Sequence, residues 1–468
     1  MSKTTRRDFL KRSAIAATAV GAVPYFLSSQ QPALAQAPSD RLRMGCIGVG
    51  DMGRGNARGF NGLVDIVAVC DVDSLHREMA QDDNNIGRRQ GNNRVRPTGY
   101  KDYRSVLDRD DVDVVSVVTP DHWHTKICIE AMQAGKHVFC EKPLTLTLEE
   151  NQIIREACKK YNKVFQVGTQ QRSQRNEFAL ATLMVRKGLL GKITKVTCDI
   201  GGSPTSGPIP KADVPARLDF DMWLGQAPLV DYIATPEVND ANRRDAWPRN
   251  SRTHYEFRWW YEYSGGKFTD WGAHHVDCAM WALDVLADGT GPVKINPILA
   301  EHPVPYKDGY PTVDNRYNVS HRFDIECTFE DGLAMHVVSN SRDGNGILFE
   351  GTEGRIHVSR GRIVGRPFED IREQIGELFP NEEFEKLYHG KQWEGHKQNF
   401  IRCMREGGLP VSDVYTHIQA MAVCHLCVIA GRLGREVAWD PKTEKTGDAE
   451  SQSFVAREQR KGYEIPRS

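Results

Sequence analysis

Through its first third, the chain alternates short apolar runs with longer segments of helical periodicity. Arg43 to Gly48 and Val64 to Cys70 read as strands, and Val112 to Thr119 is an unbroken, mostly β-branched run, the pattern of a strand buried on both faces. Pro120 stops that run, Asp121 is placed to cap a helix over 122–134, and Gly135 closes the helix. His137 to Cys140 is the next strand. Thr147 and Glu150 have capping-box spacing ahead of a helix whose Ile153, Ile154, Ala157, Cys158 and Tyr161 share one face. Phe165 to Gly168 closes the series. Strand–helix repeats of this length predict a parallel sheet with right-handed crossovers.

After about residue 170 the pattern changes. Residues 201–218 are rich in Gly and Pro and predict a long surface arm. From His321 to Phe329 the alternation is strict, with Phe323, Ile325, Cys327 and Phe329 on one side and Arg322, Asp324, Glu326 and Thr328 on the other. Asp331-Gly332 makes a turn, and Leu333, Met335 and Val337 resume the alternation. The expected organisation is an α/β domain over 41–168, then an α+β domain over 169–468 built on an antiparallel sheet with one apolar face.

The first 36 residues do not fit this scheme. Arg6-Arg7 precedes a weakly apolar run from Ser13 to Leu27 and the small-residue cleavage signature Ala33-Leu34-Ala35. This is the layout of a bacterial twin-arginine export signal over 1–35, read by the twin-arginine translocation machinery. It predicts a periplasmic or otherwise exported protein with no membrane attachment after cleavage. No later segment is expected to span a membrane. Lys plus Arg number 61 and Asp plus Glu 62, a net charge of −1, which argues against general affinity for nucleic acid or anionic membrane. Eleven cysteines would suit a disulfide framework, but Cys46, Cys70 and Cys140 fall in strand runs and Cys128 and Cys158 on apolar helix faces. Cys424 and Cys427 have redox-motif spacing inside a periodic helix from Ile418 to Leu433, where both can be core.

The candidate chemistry begins at Gly48-Val49-Gly50-Asp51-Met52-Gly53, which follows a strand and opens a helix. Glycines in that context let amide N–H groups approach a pyrophosphate at a helix N-terminus, and Asp71, at the end of the next strand, is placed to accept from ribose hydroxyls. Asp71 is followed by Val72 and Asp73, with no adjacent cation for a 2′-phosphate, so the pattern favours NAD over NADP. Thr119-Pro120-Asp121-His122-Trp123-His124 and Glu141-Lys142-Pro143 lie at the carboxyl ends of strands, where open α/β sheets bind ligands.

These strings, followed in order by Asp270-Trp271-Gly272-Ala273-His274, resemble the Gfo/Idh/MocA oxidoreductases over nearly the whole chain after the signal. The resemblance implies an α/β Rossmann domain followed by an α+β domain with a mostly antiparallel open sheet, a carbohydrate or related small molecule bound between them, and homo-oligomers built through the second sheet. It implies cofactor contacts from Gly48, Gly50, Asp51, Met52, Gly53, Asp71, Thr119, Pro120, His124, Glu141 and Lys142. Lys142, Asp270 and His274 would be catalytic, with His274 the acid/base and Lys142 touching both nicotinamide and substrate. The adjacent His275 leaves that assignment open. Asp270, His274, His275 and Asp277 are also possible metal ligands, but no metal is expected. Arg172, Trp259 and Tyr261, with His275, are candidates for substrate contact.

Export constrains the mechanism, because soluble NAD is absent from a periplasm and a dissociating cofactor would be lost. A cofactor that travels in and is regenerated in place serves two modes. One oxidises a donor sugar and reduces a second carbonyl, as in exported glucose–fructose oxidoreductases. The other is redox-neutral glycoside hydrolysis, in which a ring hydroxyl is oxidised and later reduced again. A sugar- or nucleotide-binding protein without chemistry is the remaining alternative.

Overall fold

The computed structural model describes residues 41–90, 93–236 and 250–467; the expected export signal lies outside them. Six strands form the first sheet: β1 Arg43–Ile47, β2 Asp65–Cys70, β3 Thr98–Tyr100, β4 Val114–Val117, β5 His137–Cys140 and β6 Phe165–Val167. Their order is β3-β2-β1-β4-β5-β6, and every pairing is parallel. Two βαβ halves therefore run outward from β1 and β4, leaving a crevice where the winding reverses. The chain enters that crevice after β1 through Gly48 to helix α1, Asp51–Phe60, and after β4 through Thr119 and Pro120 to helix α2, Asp121–Gln133.

Helix ends differ from expectation in two places. Pro120, not Asp121, occupies the N-cap of α2, and no side chain caps it. The Asp121 carboxylate is drawn instead to the Ser264 hydroxyl, 2.6 Å away in the second domain. Helix α3, Leu148–Tyr161, is capped by Thr147, whose hydroxyl accepts from the Glu150 amide at 3.2 Å. Glu150 does not return a bond to the cap residue itself. Its carboxylate accepts from the Leu146 amide and the Thr125 hydroxyl.

The main sheet of the second domain has nine strands: β7 Ile193–Asp199, β8 Pro292–Glu301, β9 Arg322–Phe329, β10 Ala334–Val338, β11 Gly346–Gly351, β12 Arg355–Ser359, β13 Arg362–Val364, β14 Val437–Asp440 and β15 Lys445–Thr446. They are ordered β13-β12-β11-β7-β10-β9-β8-β14-β15, antiparallel except for the β7–β10 pair. In β9 the predicted apolar residues are the buried ones, and Cys327 pairs with Met335 across the turn. That face packs on helices α4, Leu180–Arg186, α5, Gly272–Leu283, and α6, Val414–Leu433.

Helix α6 also packs on α3 of the first domain, so one helix belongs to both cores. By length and hydropathy it could cross a membrane, contrary to the sequence expectation, but 78% of its apolar window is buried inside the protein. Its apolar residues are spent on two interfaces at once. Cys424 and Cys427 lie there as buried free thiols, as do the other nine cysteines. The boundary near residue 168 is not clean either. Phe400 and Ile401 pack with Phe60 and Phe139 of the first domain, and Ile465 joins its other face.

Candidate functional site

The turn after β1 is shaped by two glycines. Gly48 has φ +78°, and a Cβ there would lie 2.5 Å from the Val118 carbonyl oxygen. A Cβ on Gly53 would lie 2.0 Å from the Gly48 oxygen, so helix α1 can sit this close only without one. Gly50 is the N-cap and supplies no capping side chain. The first-turn amides, which lack intrahelical acceptors, are thus left for an anion. At the end of β2, Asp71 accepts from Val49 N–H and Asp73 N–H, each at 2.9 Å, which fixes its carboxylate beside the turn.

One cleft collects these groups. Gly48, Gly50, Asp51, Met52, Gly53, Asp71, Thr119, Pro120, Glu141 and Lys142 all line it. A missing Cβ, an uncapped helix start and an anchored acid at the second strand end are what a dinucleotide requires, and the residues fit one. His124 is the exception among the predicted cofactor contacts. Its ring is buried, with Nδ1 2.6 Å from the Pro143 oxygen and Nε2 2.8 Å from the Thr119 oxygen. It ties the two strand-end motifs together and does not line the cleft.

Residues that sequence reasoning did not single out close the opposite wall: Leu218, Met222, Trp223, His254, Tyr255, Phe257 and Arg258. They belong to the predicted arm and the segments after it. The arm is no loose excursion, since it is bolted to the first domain. Asp219 N–H donates to Val72 O at 3.1 Å, Ser74 N–H donates to Arg217 O at 3.0 Å, and Lys101 pairs with Asp219 at 2.6 Å. His254, at φ +55°, directs Nε2 to Asp73 Oδ2 at 2.9 Å, with the Arg217 guanidinium 3.3 Å from the same oxygen. Burial raises the Asp73 carboxyl, but the His254 bond and the nearby His76, His254 and Arg217 charges outweigh it and hold it below its ordinary value. Asp73, His76 and His254 bring three potential metal-ligand atoms within 4.8 Å of one another. The Arg217 guanidinium at Asp73 already supplies the positive charge there.

At the other end, Lys142 Nζ lies 2.5 Å from Asp270 Oδ1 and 3.2 Å from the Asp270 carbonyl oxygen. Asp270 ends a short helix, Lys267–Asp270, and His274 stands in the first turn of α5. Burial pushes the Asp270 carboxyl up, but Lys142 and Arg258 overcome it and hold it down to about 2. His274 is driven well below the usual imidazole range, first by burial and then by Lys142 and Arg360. Its ring is therefore neutral, and its buried Nδ1 has no hydrogen-bond partner among the described residues. A neutral imidazole with an unpartnered nitrogen can take a proton, although the burial and cations that depress it weaken it as a base. Lys142 lines the cleft, whereas Asp270 and His274 stand behind its lining. Asp121, on the cleft wall between these groups, is raised to about 7 by burial despite its bond to Ser264.

The four substrate-contact candidates lie elsewhere. Arg172 is 1% exposed and makes a double ion pair with Asp277, which also accepts from His417. That pairing also removes Asp277 from any metal set with Asp270, His274 and His275. Trp259 is core, with Nε1 donating to Glu256. Tyr261 is clasped between the Arg432 and Arg457 guanidinium groups, 3.5 and 3.8 Å from its ring. His275 is fully buried and stacks on Trp271. Periodicity alone does not separate an aromatic in a wall from one in a core.

Comparison with known proteins agrees with this geometry. The oxidoreductase family's NAD-binding Rossmann fold matches residues 42–169, and that family's C-terminal alpha/beta domain matches residues 204–465. A glycosyl hydrolase family 109 protein of Shewanella pealeana is 32% identical over 209 residues, which is 41% of this chain and 44% of the relative. The chain thus spans less than half the length of the curated relatives it matches. Among solved structures, the WlbA dehydrogenase from Bordetella pertussis in complex with NADH and UDP-GlcNAcA has TM-score 0.55 and 18% identity, with 86% of this chain and 99% of that one covered. Aldose-aldose oxidoreductase from Caulobacter crescentus has TM-score 0.53 and 18% identity over 85% and 100% of the two chains.

Proposed function

From the premise that this chain belongs to the Gfo/Idh/MocA oxidoreductase family, with its NAD-binding Rossmann domain and its C-terminal domain, we propose that it oxidises a hydroxyl of a sugar or sugar derivative with a tightly held, internally recycled NAD. One observation carries the reading. A single cleft holds the glycine turn and Asp71 at one end and Lys142, paired to Asp270, at the other.

Bound NAD supplies the acceptor for the hydride that leaves the carbinol carbon. The protein's part is to hold the donor and take the hydroxyl proton. Lys142, fixed by Asp270, orients the oxygen, and neutral His274 accepts the proton. Trp223, Tyr255 and Phe257 form an apolar wall that limits water. Asp71 at the ribose position, followed by Asp73, disfavours a 2′-phosphate and supports NAD over NADP. Retention is supported by the bolt that fastens Arg217, Asp219 and His254 to Val72, Asp73, Ser74 and Lys101, next to Asp71. Arg6-Arg7 and Ala33-Leu34-Ala35 support export, for which a captive cofactor is the natural complement. Oligomerisation through the second sheet belongs to the same proposal.

The curated relatives are named as glycosyl hydrolases, which favours a second reading: redox-neutral hydrolysis with transient oxidation in the same site. Denaturing the purified protein and assaying released nicotinamide dinucleotide tests retention. No release would refute it. Incubation with sugars and glycosides then separates the two chemistries. Net oxidation leaves reduced cofactor or a reduced second carbonyl, whereas hydrolysis frees aglycone and brings solvent deuterium into the product.

A further inference from the structure

We infer that the sugar accepted here carries a carboxylate, an inference that rests on the oxidoreductase reading and adds the charge of its substrate. Three cations converge on one carboxylate. Lys142 Nζ is 2.5 Å from Asp270 Oδ1, Arg258 Nε is 3.8 Å from that atom, and Lys267 Nζ is 3.9 Å from Oδ2. Among the described residues, neither Arg258 nor Lys267 has another carboxylate within 4 Å. Each side chain keeps 18% of its surface exposed. Arg258 lines the cleft itself. Lys267 is held over the rings of Trp259 and Trp271, at 5.7 and 5.5 Å. A fourth cation, Arg360, has its guanidinium 4.8 Å from the Trp271 ring centre and acts electrostatically on His274.

The opposing charges do not balance these. Glu141 is buried and is raised by that burial; the Lys142 charge, an Asn56 amide at 2.9 Å and the Lys397 charge pull it down, so it offsets one cation of the four and leaves the others in excess. Asp121 is buried and bonded to Ser264, and burial raises its carboxyl to about 7 against the pull of that bond and of Arg258 and Lys142, so it is a weak counter-charge. Lys267 is lowered chiefly by burial; Asp270 raises it, and Lys142 and Arg258 add smaller lowering contributions as like charges nearby. A partly buried excess of cations is costly unless an anion completes it. A neutral sugar would leave it uncompleted. A carboxylate on the ring would give Arg258 a planar, two-pronged partner and Lys267 a point contact, while the carbinol faces Lys142 and His274. A phosphate dianion would bring about twice the negative charge of a carboxylate against Asp270, which is held ionised at the centre of the cluster.

The test uses the cofactor-loaded protein with D-glucuronate, D-galacturonate, D-glucose, D-galactose and D-glucose 6-phosphate. Binding is read by tryptophan fluorescence and thermal shift, and turnover by the absorbance of the bound cofactor. The uronates are expected to bind about tenfold or more tightly than the neutral sugars, with the preference shrinking as salt rises. Arg258→Gln and Lys267→Gln should each cut the uronate-to-neutral ratio about tenfold, and Arg258→Lys should restore part of it. Neutral sugars or the phosphate binding as well as the uronates overturns the inference. So does a preference unchanged in both variants, or no uronate binding at all. Uronate-selective binding without any cofactor reduction would sustain this inference and refute the oxidoreductase reading. Turnover without charge preference would do the reverse.

Discussion

The ammonium of Lys142 rests 2.5 Å from the carboxylate of Asp270, and through this contact the end of a Rossmann strand meets the helical layer of the second domain. Neither residue is placed by its own element alone. Lys142 leaves β5 just before Pro143, and Asp270 terminates a helix of four residues. Their pairing ties the two domains together at that end of the cleft.

Lys142→Met should therefore lower kcat about 10²- to 10⁴-fold while the purified protein keeps its nucleotide. His274→Asn should act similarly, without effect on nucleotide content. Nucleotide released on denaturation and single-turnover reduction of bound cofactor measure the two quantities; loss of nucleotide would assign both residues to structure.

Gly53→Ala should empty the cofactor site. The new Cβ would sit 2.0 Å from the Gly48 oxygen, and backbone on both sides must move. The expected result is a folded protein by circular dichroism with no dinucleotide released on denaturation.

His254→Gly should speed cofactor loss. Glycine keeps the left-handed backbone and removes only the ring that holds Asp73. Loss of a hydrogen bond to a carboxylate, about 1.5–3 kcal/mol, corresponds to roughly tenfold or more in the release rate, measured by exchange against an excess of nucleotide analogue. An unchanged rate would leave the bolt without a role in retention.

Stability should rise as pH climbs from about 4 to 6.5. The imidazoles of His122, His124, His137, His275, His302, His396 and His425 are lowered by burial to between about 3 and about 4, from an ordinary 6.5. Within that window the unfolded chain holds protons that the folded state has released, so raising the pH favours folding. Asp121 and Glu150, each raised by burial to about 7 from 3.8 and 4.5, act oppositely but are outnumbered. Asp270 and Asp73 are lowered and add to the rise below pH 4. Glu150→Gln should steepen the rise by on the order of 3 kcal/mol between about pH 4 and 7, read from urea midpoints at stepped pH.

Arg172→Met should leave the Asp277 carboxylate buried without its guanidinium and cost about 3–5 kcal/mol. The melting temperature should drop, while KM for the sugar stays unchanged in protein that remains folded at low temperature. A raised KM with unaltered stability would return Arg172 to the substrate site.

Much of the cofactor end was legible because its determinants are local. A glycine turn after an apolar strand, with an acid at the next strand end, is a short-range pattern, and ten of the eleven predicted contacts line the cleft. The structure places His124 outside the cleft lining, a position its sequence does not reveal because a buried imidazole and a cleft imidazole look alike there. Its two carbonyl partners, on Thr119 and Pro143, come from different strand ends. Arg172, Trp259, Tyr261 and His275 lie away from the lining for a similar reason. An arginine or aromatic ring suits a sugar, but an interior carboxylate or another ring suits it equally well.

The opposite wall had no such signal. His254 and Arg258 follow a Pro-rich arm with no regular period; the partner of His254, Asp73, lies far off in the chain, and that of Arg258, Asp270, lies across an irregular segment. The parallel and antiparallel sheets, the dinucleotide turn and the lysine at a strand end are written in periods of two and about four residues, which backbone geometry reads locally. The closure of the cleft, the charge it presents and the neutrality of His274 arise only when distant segments share a low-dielectric interior. Burial and the nearest charge are properties of the assembled protein, and no local pattern encodes them.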